Sequence, residues 1–163
     1  MSRIVASCWV VAGLTLLGCG DSKSAGSIAS TDFESISMEQ GGACVGSGPC
    51  WWRTAVAAPG KLTLANPMLE RTADIKPAEL EEVEEITGRK QFRGTIEDPK
   101  DVCAVAFDSE FIFVLETSSG TFTDKQASGC VLNTEEYPQH DYRDLFQALD
   151  KLRRAYFPGV LPF

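Results

Sequence analysis

The chain has 163 residues, 44% of them apolar, which suits one domain with a core and is short for a two-domain enzyme. Fifteen Lys and Arg against 23 Asp and Glu leave a net charge of −8, so no excess of cations can displace phosphate counterions, and nucleic acid is not an expected partner. A mean hydropathy of −0.08, with no apolar run near ~20 residues after the first segment, excludes a polytopic helical membrane protein.

The first segment places Arg3 ahead of an apolar stretch from Ile4 to Leu17 and stops abruptly at Gly18-Cys19-Gly20-Asp21. That is the layout of a signal peptide, and the stretch is short of the roughly 20 residues a membrane-spanning helix needs. Leu16-Leu17-Gly18-Cys19 resembles the lipobox of bacterial lipoproteins, with Leu three before the cysteine and a small residue just before it. The resemblance covers the N-terminus only. It implies cleavage after residue 18, a diacylglyceryl group on Cys19, and a membrane partner reached through that anchor. Gly20, where an Asp would favour inner-membrane retention, tips the expected location in the cell envelope toward the outer membrane.

Residues 20–42 contain six serines and four glycines with no sustained apolar period, the composition of a flexible tether, so residues 19–42 are expected to be the lipidated cysteine and its leash. A single α+β domain is then expected over residues 43–163. Four cysteines remain in it, and an even count outside the cytoplasm implies two disulfides. Cys44 with Cys50, across a spacer that can bend tightly, and Cys103 with Cys130, tying a strand to the loop after its hairpin, are the favoured pairs among three connectivities. A zinc site would want a C-x-x-C pair, which the chain lacks, and no metal or other cofactor is expected.

Trp51 to Ala57 and Leu62 to Ala65 read as strands of a hairpin, with Pro59 and Gly60 at the centre of a type II turn. Pro77, the apolar Leu80, Val83 and Ile86, and Gly88 mark a helix. Val102 to Phe107 and Phe111 to Leu115 suit central strands joined by Asp108-Ser109-Glu110, with a further strand after Gly120. Tyr142, Leu145, Leu149, Leu152 and Tyr156 recur at helical spacing, with Asp141 as the cap and Pro158 as the stop. The expected fold is an antiparallel sheet with two helices on one face, in the order ββαββα.

Glu79, Glu81, Glu82, Glu84 and Glu85 crowd the first helix. Near a helix N-terminus they read as a solvated, dipole-favoured face rather than a bent loop that wraps a cation. His140 is the only histidine and stands where a helix begins, with no nucleophile elbow, zinc-helix motif or phosphate loop near it, so no catalytic residue is assigned. Trp51 and Trp52 are adjacent on a strand, so alternation sends one ring to the core and leaves the other as a candidate binding anchor. The expected function is a lipid-anchored, non-catalytic module that binds an envelope protein or polymer. The alternatives are an envelope hydrolase using scattered carboxylates and a surface-presented protease inhibitor.

Overall fold

The computed structural model describes residues 32–42, 51–99, 109–132 and 140–160. In chain order the elements are β1 (Phe33–Gly42), β2 (Trp51–Ala57), β3 (Lys61–Asn66), β4 (Leu69–Asp74), α1 (Pro77–Gly88), α2 (Lys90–Glu97), β5 (Ser109–Thr117), β6 (Gly120–Ala127), α3 (Ser128–Leu132) and α4 (His140–Tyr156). The strands form one six-stranded sheet in the order β4-β3-β2-β1-β5-β6, and every neighbouring pair is antiparallel. The fold is therefore α+β with an antiparallel sheet, but with six strands and four helices among the described residues instead of the simpler ββαββα order. None of these helices is long and apolar enough to cross a membrane.

Alternation along the strands builds the core. Ile36 is paired with Val56 on one side and Leu115 on the other, and Val56 in turn faces Leu62, so all four point to the same side of the sheet. The next inward row runs through Leu64, Thr54, Met38 and Phe113. Val83 and Ile86 of α1, Phe92 and Ile96 of α2, Val131 of α3 and the α4 stripe Tyr142, Leu145, Leu149 and Leu152 complete a single cluster on that side. The expected α4 stripe thus lies on the sheet, with Leu145 and Leu149 wholly buried.

The largest correction concerns residues 33–42, which form a strand in the middle of the sheet and not the end of a tether. Their serines and glycines misled because of where they fall. Ser35, Ser37 and Gly41 occupy the face away from the helices, while Ile36 and Met38 fill the inward positions. A register shift between Phe33 and Ser35 lets Phe33 turn inward too, which breaks the simple period of two.

Smaller corrections have local causes. β4 reads Leu-Glu-Arg-Thr-Ala-Asp and lies at the sheet edge, where a polar strand needs no apolar alternation. α2 buries only Phe92 and Ile96, one turn apart, and Gly94 between them weakens the helical signal. α3, only five residues long, is too short to show a period. Ser109 and Glu110 belong to β5 and not to a connecting loop. The β2–β3 hairpin holds, with Gly60 N–H donating to the Ala57 carbonyl at 2.8 Å, but Ala58-Pro59 is cis and occupies a type VI turn in place of type II. Asp141 lies inside the first turn of α4 and bonds Arg89, so it is not the cap. Pro77 opens α1 as expected, and Gly88 is its last residue. The expected strand from Val102 to Phe107, the Cys44-Cys50 pair and Cys103 lie outside the described residues, whereas Cys130 is buried in α3.

Candidate binding cleft

Which tryptophan faces the helices follows from register. Trp52 shares its side of β2 with the buried Thr54 and Val56 and is paired with Gln40 of β1, so its ring lies on the helix-covered side, packed against the edge of the core. Trp51 is on the opposite side, paired with Gly41, which offers it no side chain. Both rings are half-buried. The expected division into a core ring and an outward ring is therefore a division between two faces, and it is Trp52 that borders a cavity.

That cavity has a volume of about 30 Å³. Its floor is Met38 and Thr54, a cross-strand pair, and Trp52 and Gln40 form the next row. The other wall comes from α4, where Phe146, Asp150 and Arg153 are spaced by four and three residues and so share one helical face. Phe146 is braced by the Phe111 ring, edge to face at 5.4 Å.

The polar side of the cleft is a small ionic cluster. Arg153 is buried to 6% exposure and donates to Asp150 Oδ1 from Nε at 3.1 Å and from Nη2 at 2.6 Å. Its Nη1 donates to the Val160 carbonyl at 2.6 Å, which ties the segment after α4 to the helix. Arg154, largely exposed, donates to the other oxygen of Asp150 at 2.7 Å. One carboxylate thus serves two guanidiniums, of which Arg153 alone lines the cleft, so the charged lining, Asp150 with Arg153, is neutral overall.

Of the acidic residues on α1 singled out by the sequence, Glu79 and Glu82 join that helix to α4. Glu79 accepts from the Lys76 backbone N–H at 2.9 Å and from the Tyr156 hydroxyl at 2.6 Å, joining the start of α1 to the end of α4. The Tyr156 hydroxyl first, and the Lys76 N–H second, hold the Glu79 carboxyl below its ordinary range. Glu82 makes a second link to α4 through Lys151 at 2.7 Å. Glu81 and Glu85 are exposed and Glu84 is half-buried. His140 is the first residue of α4, as expected.

A buried carboxylate that the sequence reading missed lies on β6. Asp124, 5% exposed, accepts from the Tyr142 hydroxyl at 2.7 Å and from Gln126 Nε2 at 2.8 Å on one oxygen, and from the Lys125 backbone N–H at 2.8 Å on the other. Burial, then the bond to Asp124, then the Asp124 and Asp141 charges push the Tyr142 hydroxyl well above the ordinary phenol range. Nearby on α4, Asp141 and Asp144 both accept from Arg89, at 3.2 and 2.6 Å. Asp141 Oδ2 and Arg143 Nε are buried without a hydrogen-bond partner among the described residues.

Met38, Gln40, Asp150 and Arg153 of the cleft are among those that escaped the sequence reading, and Met38, like Gln40, lay in the expected tether. Asp150 and Arg153 flank the apolar α4 stripe, where charged residues are ordinarily solvated, and the one signal available was their spacing of three. The sequence matches no family model and shows no significant similarity to a curated protein.

Proposed function

We propose that this chain is a lipid-anchored module of the cell envelope that binds a protein or an envelope polymer through the Trp52 cleft. The lipobox-like run ending at Cys19 supports the anchor and, through Gly20, the outer membrane. Two or three acyl chains, at about 0.8 kcal/mol per buried methylene, would hold the domain at the surface without help from its own residues. Two disulfides, Cys44-Cys50 and Cys103-Cys130, belong to the same reading.

The observation that carries the binding role is the lining of the cleft: an aromatic ring at a half-buried position beside preorganised polar groups, the composition expected of a recognition site. A hydrolase would call for converging carboxylates, and the cleft holds one, Asp150, already engaged by two guanidiniums. The test is in-cell crosslinking of the anchored protein with Trp51→Ala and Trp52→Ala variants checked for folding by circular dichroism. Capture should fall with Trp52→Ala, by about 2 kcal/mol or more of partner affinity, and persist with Trp51→Ala. Undiminished capture by a folded Trp52→Ala protein would refute the cleft as the binding site.

A further inference from the structure

The four described helices all pack on one side of the sheet, where their apolar residues join a single cluster, and no described element lies on the other side. The strand register lays out that open face in rows. Its central row runs Thr72, Thr63, Ala55, Ser37, Val114 and Thr123 from β4 to β6, all uncharged and none larger than Val. The rows on either side of it are charged. In one, Lys61 of β3 and Glu116 of β5 flank Ala57 and Ser35. In the other, Glu70 of β4, Arg53 of β2, Glu39 of β1 and Lys125 of β6 alternate in sign across the sheet, with Ala65 and Ile112 between them. A flat face of short side chains suits stacking on a second sheet, since two sheets pack about 10 Å apart with their inner residues interdigitated.

We propose that this open face is a homodimer interface, in which two copies stack sheet on sheet about a two-fold axis parallel to the strands and midway between β1 and β2. That line is the centre of the six strands, so the axis exchanges β1 with β2, β5 with β3 and β6 with β4. It brings Lys61 onto the second copy's Glu116, Glu70 onto Lys125 and Arg53 onto Glu39, each contact made twice, with Ala55 on Ser37 and Ala65 on Ile112 between them. Trp51 falls on Gly41, above which a Cβ would meet nothing within 4 Å, so the ring has room. An axis turned by a right angle opposes Asp74 to Glu70 and sets Lys61 on Ala65 and Glu116 on Ile112, so the charges select one orientation. Aligned sheets cross at about 30°, an offset that the long ends of Lys, Arg and Glu can follow. Within one chain the two lysines reach only exposed carboxylates, Asp74 at 3.4 Å and Glu110 at 3.8 Å, and Arg53, Glu39 and Glu70 form no ion pair among the described residues. Six strands about 4.8 Å apart and six to seven residues long make a face of roughly 650 Å², so two copies would bury about 1,300 Å², within the range of specific interfaces. The Trp52 cleft lies on the helix-covered side and stays open in this dimer.

The experiment is sedimentation equilibrium of the full-length chain in a density-matched detergent, which should give a dimer. Glu70 and Lys125 stand on the two outermost strands, about 24 Å apart in one sheet, so they can meet only between copies. Glu70→Lys and Lys125→Glu should each weaken self-association roughly tenfold or more, because each opposes like charges twice in the dimer. An equimolar mixture of these two variants should associate as strongly as the unaltered chain, since the mixed dimer restores both contacts. Ala55→Lys places a charge at the centre of the stack and should abolish association while circular dichroism shows the fold retained. Pairing of β4 on one copy with β6 on the next would also join Glu70 to Lys125, but that contact is heterologous and runs on into open chains instead of stopping at a dimer. If Ala55→Lys fails to fold, the mixing result together with the two-copy mass decides the matter. A chain that is monomeric at about 100 μM overturns the proposal and leaves the face to another occupant. So does a dimer that persists in folded Ala55→Lys, or a mixture that associates no better than its two components.

Discussion

Replacing Tyr142 with Phe removes one oxygen from the place where α4 meets β6 and leaves the ring in position. The ring stacks on Phe113 with centroids 4.5 Å apart and meets Phe92 edge to face at 5.4 Å, contacts that Phe retains. What is lost is the 2.7 Å bond from the hydroxyl to Asp124 Oδ2. A hydrogen bond to a charged acceptor contributes about 1.5 to 3 kcal/mol, and Asp124 keeps the Gln126 and Lys125 donors, so a loss near the middle, about 2 kcal/mol, is expected at pH 7. Urea unfolding should show a lower midpoint with an unchanged slope, and Tm should drop by roughly 6 to 12 °C for a domain of this size. The same pair fixes an alkaline signature. Because the folded pKa of Tyr142 is raised, its contribution is complete below the unfolded phenol value of about 10 and fades as pH rises beyond it, by about 1.4 kcal/mol per unit. Phe has no such loss, so the stability gap between the two proteins should shrink to under about 1 kcal/mol by pH 11. A gap below about 0.5 kcal/mol at pH 7, or one that stays constant from pH 9 to 11, would refute this account of the Asp124–Tyr142 pair.

Three further outcomes follow from other contacts. Tyr156→Phe removes the main cause of the low Glu79 pKa, so the carboxyl midpoint followed by NMR should rise toward the ordinary value, and an unchanged midpoint would rule out that bond in solution. Since a depressed carboxyl pKa stabilises the fold above the unfolded value, the Tyr156→Phe protein should also be less sensitive to acid as pH falls below about 4.5. Gly60→Ala places a side chain at φ +120°, with its Cβ 3.4 Å from the Ile75 carbonyl oxygen, and should cost about 1 to 3 kcal/mol in thermal or urea unfolding; an unaffected protein would mean that the turn adopts another conformation. Cys19→Ala should abolish incorporation of a labelled fatty acid, and undiminished label would reject the lipobox assignment.

The elements that the sequence announced are those with a strong period and a distinct stop. α4 repeats an apolar residue every three or four positions and ends before Pro158, and β2 and β3 alternate around Pro59 and Gly60. β1 was hidden because its two faces differ so sharply: the serines and Gly41 dominate the composition, while the core face is carried by Ile36 and Met38 with Phe33, which lies out of the period of two. At the site, alternation established that Trp51 and Trp52 part company. It could not say which ring met the helices, because that depends on the cross-strand partners of Thr54 and Val56. Arg153 was out of reach for another reason: a cation in the last turn of a helix is ordinarily explained by the dipole, and only tertiary structure reveals that this one is buried.

The position of β1 affects how the sheet can be assembled as the chain is made. Chains delivered from the N-terminus present β1 first, yet it lies between β2, which soon follows it, and β5, which begins only at Ser109. Until β5 arrives, one long margin of β1 has no hydrogen-bonding partner and is open to mispairing with another chain. Closure of the sheet by β5 is also a long-range event of the kind that slows folding. In an anchored protein, any pull transmitted from Cys19 would enter at Phe33, on a strand bonded along both sides, and extraction would have to break both ladders. Were Cys19 anchored, the fourteen residues from Cys19 to Asp32 would reach at most about 50 Å, so the domain would assemble close to the surface that held it.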